Sequence, residues 1–397
     1  MNMYFTHRVK PFIIKMTVVK FIIGGFILIN LTFNDETQMK ILEFLGTTEK
    51  MISDVTSQLS NCKKEAKIYA MSDLGLSVDA VRMMGGFFVG TCITWDCDVP
   101  FVPIDTTVNV CGVCAYKLTD EITLEEFKNR IEKTFNTDKT YNWNYNRGNH
   151  FCTLCYCDGK HKLEEGYYIV VHASAAEYKE GNMEEGLFPE KSNWYYNAIK
   201  THTDPETGRY LRYLDGEYAE KFWKIAHFLE EYNEKRNEYF IETTFNGLID
   251  KKIINIQHYG MPTEHSICIG CHWKEGMYAL LTAPGEDIYF VNPLESEKNR
   301  FKHDNMNFTL SPHGLGQKVP NKNANIKISK DDIKIGDNSF KDGQILNIDV
   351  DIKIRGTAEG DAPISETVQD ILKIYPGEIQ GKMKQIVSVT KRGFKEY

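Results

Sequence analysis

Three shortages narrow what this chain can be. No apolar run reaches the ~20 residues of a membrane-spanning helix; the longest, Phe21–Leu31 (FIIGGFILINL), is about half that. Positive charge is not in excess: 47 Lys and Arg against 55 Asp and Glu give a net charge of −8. That balance excludes a generally basic nucleic-acid coat but permits a local basic groove. Proline is sparse, 12 in 397 residues, with no Pro/Ser-rich linker and no internal repeat. The length allows one large domain or two ordinary ones, and without a linker or repeat one large domain is expected. What remains is ordinary globular composition, 42% hydrophobic and 26% charged, enough for a large core.

Arg8, Lys10, Lys15 and Lys20 precede the Phe21–Leu31 run, as in a signal peptide. The residues that follow, Thr32 to Glu36, offer no small-residue cleavage site. Together with Val18 and Val19 the run reads as buried strands. No membrane partner and a cytoplasmic location are expected.

Cysteine, by contrast, is plentiful. Ten cysteines include three CxxC pairs: Cys111/Cys114, Cys152/Cys155 and Cys268/Cys271. They are too dilute for a small disulfide scaffold and fit reduced thiols or metal ligands. A structural zinc knuckle is one reading. However, 37 residues separate Cys114 from Cys152, more than the ~15–20 of a zinc ribbon. Strand alternation would also send Cys152 and Cys155 to opposite faces.

Periodicity predicts one or two amphipathic helices over 36–60, a strand at Lys67–Met71 and interior strands within 87–118. Thr123 followed by Glu126 is a capping box opening a helix. Strands follow at Phe151–Cys157 and Tyr167–Val171, and the longest helix at Asp215–Phe245. Short strands are expected at Ile253–Ile256, Ser266–Ile269, Met277–Leu281 and Ile288–Val291. The lysine-rich stretch 318–355 alternates like strands, and Ile386–Lys395 reads as a strand with a basic tail. The fold class is mixed α/β (α+β), a single large domain with central β-sheets flanked by helices.

Chemistry-bearing residues stand at strand ends or in Gly-containing turns. They are Cys111 in Asn109–Val113, His150 in Gly148–Phe151, His172 in Val170–Ser174, His258 in Gln257–Gly260, and His313 in Ser311-Pro-His-Gly-Leu-Gly-Gln317. One thiolate and three imidazoles on separate strands make a metal site if the fold brings them together, suited to Zn²⁺ or a similar first-row ion. A neutral imidazole is also a good nucleophile toward phosphorus. The glycines beside Leu315 would let backbone N–H groups approach a phosphate.

In this order the motifs resemble those of the RtcB-type RNA ligases, over residues ~67–395. Met71-Ser-Asp73 resembles the family's MPD opening, Val108–Val113 its DINCGV motif, and Asn146–Phe151 its GxGNHF motif. His172-Ala-Ser174 is similar to the histidine strand end, and the helix containing Asn233 to the family's long helix. His258-Tyr259 resembles HN, His272–Gly276 HRKG, Pro284–Asp287 the PGSMG nucleotide loop, Ser311–Gln317 SxxHGAGR, and Val389–Arg392 the closing VVKG.

The resemblance implies residues 1–35 as an N-terminal extension or first strands and 36–397 as an RtcB-like ligase domain. It implies a GTP-dependent ligase joining RNA 2′,3′-cyclic phosphate or 3′-phosphate ends to 5′-hydroxyl ends, as in RNA repair and tRNA splicing. His313 would be the nucleophile that accepts GMP. Asn149, Pro284, Gly285, Gly314, Leu315, Gly316 and Lys391 would hold the nucleotide. Cys111, His150, His172 and His258 would hold Mn²⁺, two ions in the family, with Zn²⁺ as the alternative. Lysines of 318–355 and 382–395 would meet RNA phosphates.

This chain departs from the pattern. The family's Asp ligand is Val108, with Asp105 or Asn109 as candidate substitutes; the Arg after the nucleophile loop is Gln317. Ala175-Ala176 replace an Arg-bearing motif, Thr153 stands where a carboxylate is expected, and Leu74-Gly75 follow Asp73 without the family's His. Two further readings therefore stand beside the ligase: a nucleotidyl transferase using another phosphate acceptor, and a non-catalytic metal- or RNA-binding protein.

Overall fold

The computed structural model describes residues 19–23, 26–76, 80–175, 186–189, 193–297, 299–318, 326–328, 332–335, 338–341 and 353–397. Its class is mixed α/β, with two large sheets and five α-helices among the described residues. Helices are fewer than sheets flanked on all sides would need.

The helices are α1 (Glu36–Ser60), α2 (Ala80–Gly85), α3 (Leu124–Thr137), α4 (Gly216–Thr244) and α5 (Ile364–Ile374). Helix α1 starts where Asp35 accepts from Gln38 N–H at 2.9 Å and ends at Asn61 in the left-handed region, φ 52°. Thr123 caps α3 by accepting from Glu126 N–H at 3.1 Å. The reciprocal half of the expected capping box is not made; Glu126 pairs with Arg130 at 2.8 Å instead.

The first sheet has six strands in the order Val19–Ile23, Phe26–Asn30, Ala66–Gly75, Val89–Trp95, Ser266–Ile269, Tyr259–Gly260. Its first two strands come from the apolar run near the N-terminus; Val18 lies outside the described residues. Phe26–Asn30 pairs in parallel with Ala66–Gly75, and α1 supplies the crossover that a parallel pair requires. Alternation gives this sheet two buried faces. Ile68, Ala70, Ile93, Trp95 and Ile267 pack toward α1, while Tyr69, Met71, Cys92 and Cys268 pack toward α5.

The second sheet runs Ile249–Gln257, Gly112–Leu118, Gly166–Ala173, Phe151–Cys157, Gly377–Thr390, Ile288–Pro293, Tyr278–Leu280. Gly393–Glu396 folds back on Gly377–Thr390 as an eighth strand, so the expected basic tail is a hairpin. One face packs on α3 and α4 through Cys114, Cys152, Leu154, Phe127 and Phe240. The other curls on itself: Val113, Cys155, Val170, Ile254, Ala279, Phe290 and Met383 meet inside it, as in a nearly closed barrel.

Cys152 and Cys155 do fall on opposite faces. The CxxC pairs are dispersed, with Cys111 in the α1 layer, Cys114 and Cys152 beside α3 and α4, Cys155 inside the curl, and Cys268 and Cys271 near α5. Because the pairs are packed in different layers, the zinc-knuckle reading of these pairs fails. Residues 345, 348, 350 and 352 of the lysine-rich stretch lie outside the described residues; three short strands, Ile326–Ile328, Asp332–Ile335 and Asn338–Lys341, form a small sheet within it. No helix among the described residues is long and apolar enough to cross a membrane.

Candidate metal and nucleophile site

The site is assembled by strand register at one end of the second sheet. Gln257 pairs with Gly112, Gly112 with Ala173, and His172 with Phe151, while Cys152 pairs with Val389. Cys111, His150, His172, His258 and the turn at Lys391 therefore share one edge, though far apart in sequence. His258 lies between Gln257, the last residue of a second-sheet strand, and Tyr259, the first of a first-sheet strand. Its N–H donates to Cys111 O at 2.9 Å, and its own carbonyl accepts from Cys271 N–H at 2.8 Å.

Donor atoms of Cys111, His172 and His258 lie within 4.8 Å of one another, and all three residues are buried. Burial holds the His172 ring down at about 3, with the neighbouring His150 adding to it. His258 is pushed well below the ordinary histidine range, first by burial and then by His313 and His172. Both rings are neutral at pH 7, so each offers a lone pair. His172 Nδ1 faces Asn149 O at 3.2 Å, which assigns the proton to Nδ1 and the lone pair to Nε2. That Nε2 stands 3.3 Å from His258 Nε2. Two nitrogens bound at about 2.0–2.1 Å to one tetrahedral ion would stand about 3.3 Å apart, so the residues fit a shared metal. His258 Nδ1 is buried with no hydrogen-bond partner.

His150 flanks the set. Its ring is 5.5 Å from that of His172, its Nδ1 is 3.0 Å from Asn144 O, and burial lowers it to about 4. It is not one of the three converging donors. Nor is Asp105, which accepts from Arg212 through both oxygens at 3.0 and 3.1 Å. Val108 contributes no ligand atom, and Asn109 Oδ1 is buried without a partner. The donor set accounts for one ion of soft or borderline character; Mn²⁺ would lack the carboxylate it favours.

The backbone is held in place locally. Val110 adopts φ +52° just before Cys111, a conformation costing a β-branched residue roughly 1–3 kcal/mol. Asn233 on α4 holds it, donating from Nδ2 to Val110 O at 3.0 Å and to Ala173 O at 3.2 Å. Asn233 is itself fixed by Arg236, whose Nη2 donates to Asn233 Oδ1 at 2.6 Å and to Ser174 O at 2.5 Å. One buried pair on α4 thus ties the strand ends that carry two of the donors.

His313 comes from the other side. Its ring is 4.8 Å from that of His258, and its side chain keeps 20% exposure. Asp73, fully buried, accepts from His313 Nδ1–H at 2.5 Å and from the His313 backbone N–H at 3.1 Å. The Nε2 lone pair is then available for attack. Asp73 is positioned by α1, where Gln38 Nε2 donates to Ser72 O at 2.8 Å and Leu74 O at 3.2 Å. No protein-family model matches the chain, and no curated protein matches it.

The remaining expected residues surround this centre without all converging on it. Leu315 is buried in the layer below α5. Gly314 and Gly316 make their close approaches to protein: a Cβ on Gly314 would lie 3.0 Å from Leu281 O, and one on Gly316 2.7 Å from Asp73 Cα. Gly316 also has φ +74°, so only glycine fits there. Asn149 is exposed above His172, to which it offers its carbonyl. Pro284 and Gly285 occupy the turn after Leu281, whose N–H donates to His313 O at 2.9 Å. Lys391 is exposed in the hairpin turn at the same sheet edge.

Sequence reasoning missed Arg355. Its Nη2 donates to Leu74 O at 3.3 Å, its Nη1 to Leu315 O at 3.5 Å, and its Nε to Asp35 at 2.7 Å. It bridges the segments carrying Asp73 and His313. No local pattern could have signalled this, because residues 319–352 separate it from the loop it serves.

Proposed function

We propose that the chain is a metal-dependent RNA ligase of the RtcB type, joining RNA 2′,3′-cyclic phosphate or 3′-phosphate ends to 5′-hydroxyl ends with GTP. The observation that carries this reading is the His313–Asp73 pair set against a buried Cys/His/His donor cluster. A binding protein has no need of an imidazole whose Nδ1 is fixed by a buried carboxylate while Nε2 stays available.

His313 Nε2 would attack the α-phosphorus of GTP, forming an N–P bond as the bond to the β-phosphate oxygen breaks and pyrophosphate leaves. Asp73 stabilises the positive charge that develops on the ring by holding Nδ1–H. GMP then passes to the RNA 3′-phosphate, and the 5′-hydroxyl displaces it. A phosphate monoester needs that activation, since an alcohol cannot expel oxide. Cys111, His172 and His258 would hold the ion, which when bound neutralises triphosphate charge. Zn²⁺ suits this donor set better than Mn²⁺, and one ion better than two.

Gln317, exposed where an Arg would grip a phosphate end, favours a second reading: the same first half-reaction serving a nucleotidyl transferase with another phosphate acceptor. The deciding experiment incubates the protein with α-phosphate-labelled GTP and Zn²⁺ or Mn²⁺, wild type beside His313→Ala. Acid-labile, alkali-stable label lost in the variant supports nucleotide transfer. Joining of 3′-phosphate and 5′-hydroxyl RNA then separates the ligase from the transferase. No label under any metal sinks both and leaves the binding protein.

A further inference from the structure

Three thiols that the proposed chemistry does not use lie together beside the site. Cys92 and Cys268 are direct partners across two antiparallel strands of the first sheet. Cys271 follows three residues after Cys268, beyond a turn in which Gly270 has φ +70°. All three are fully buried in one apolar layer, and none is in a disulfide. Cys271 Sγ also lies 3.4 Å from Thr91 O, next to Cys92 in the chain.

We propose that Cys92 and Cys268 are a reversible oxidation site, forming a cross-strand disulfide with Cys271 as the thiol that reopens it. Directly opposed residues in an antiparallel ladder have Cα atoms about 4.5–5.5 Å apart, within the roughly 4.4–6.8 Å that a disulfide spans. Register alone therefore meets the requirement. A metal is the weaker occupant: the donor set within 4.8 Å among the described residues is that of Cys111, not this one. Burial raises all three thiols, but at Cys92 hydrogen bonding from Cys268 and Cys271, with His303 nearby, outweighs it and lowers the thiol. Cys92 is the natural first nucleophile.

The electrons balance with hydrogen peroxide as oxidant. The Cys92 thiolate attacks one peroxide oxygen, the O–O bond breaks, and water leaves after protonation, giving a sulfenic acid. Cys268 sulfur then attacks Cys92 sulfur, the S–O bond breaks, and a second water leaves. Two thiols and one peroxide give one disulfide and two waters. For reopening, the Cys271 thiolate attacks Cys268 sulfur, and an external thiol completes the reduction. Access needs a small oxidant and local opening of the turn. That turn lies under the nucleophile: a Cβ on Gly270 would sit 2.9 Å from His313 Cε1. Formation of the disulfide does not depend on the proposed ligase activity.

The test treats the full chain, metal-loaded, with hydrogen peroxide, alkylates remaining thiols under denaturing conditions, and maps the peptides by mass spectrometry. The expected result is a Cys92–Cys268 linked peptide two hydrogens lighter than the free pair. It should be reversed by dithiothreitol and absent in Cys268→Ser, with Cys114 and Cys152 still alkylated as internal controls. The proposal is overturned if Cys92 and Cys268 remain alkylated after exposed Cys62 is oxidised. A link from Cys92 to Cys271 alone, or zinc or copper that is lost in Cys92→Ser, overturns it equally.

Discussion

Two trios of soft donors lie back to back, joined where Cys271 N–H donates to the His258 carbonyl. Cys111, His172 and His258 bring donor atoms within 4.8 Å of one another. Cys92, Cys268 and Cys271 are equally buried but carry no imidazole. The difference lies in what arranges them. The first trio gathers at strand ends, where the backbone turns away and side chains from several strands can aim at one point. The second sits partly mid-strand, where the ladder fixes opposed pairs and leaves a third residue to one side. Strand ends make ligand sets; strand middles make pairs.

The largest test of this contrast concerns the residue that faces the first trio across His313. Asp73→Asn should slow label transfer to His313 on the order of 10³-fold, because an amide N–H would turn the ring to the wrong tautomer. Initial rates of labelling would be compared, with metal affinity expected to stay unchanged. Next, Cys111→Ala should weaken metal binding by ~10²-fold or more, while Cys92→Ala leaves it alone. Competition with a chromophoric chelator measures both, and equal losses would erase the distinction between the trios.

A smaller effect follows from pH. His150, held by burial at about 4, and His172 and His272, held by burial at about 3, titrate near 6.5 when unfolded. Protons therefore favour the unfolded chain. The stability is present in full above about pH 6.5 and drains away as pH falls toward the folded values, roughly 3 kcal/mol for His150 alone. Urea unfolding of the metal-free protein at pH 7 and pH 4.5 should show it; a flat profile would mean these rings are not buried neutral. Smallest, Thr123→Ala removes the α3 cap for about 1 kcal/mol, far from both trios. Thermal melting should register it while metal binding and labelling do not change.

Much of this was legible in the residues. Short apolar runs located Phe151–Cys157 and Ser266–Ile269 with their ends in place, and Asp215 to Phe245 marked α4 within a residue. Cys111, His172, His258 and His313 stood out because each sits at a strand end or in a turn beside one. Pairing was not legible, since nothing local tells Gly112 that its neighbour is Gln257. Asp73 was visible as part of a motif but not as the partner of His313. The strand Tyr210–Asp215 and helix α5 were missed for lack of a long apolar period. Alternation parted Cys152 from Cys155 as expected, but nothing in the CxxC spacing showed that Cys268 and Cys271 would pack in one layer with Cys92.

His258 is the seam of the molecule, a single link with one sheet sewn on either side. Inserting one residue there would send Tyr259 and Gly260 to the wrong faces of their ladder and would also withdraw an imidazole from the donor set. The two sheets are therefore not interchangeable parts. The chain also crosses between them at residues 96–111 and 270–277, so neither sheet is a contiguous half that could be exchanged at one join.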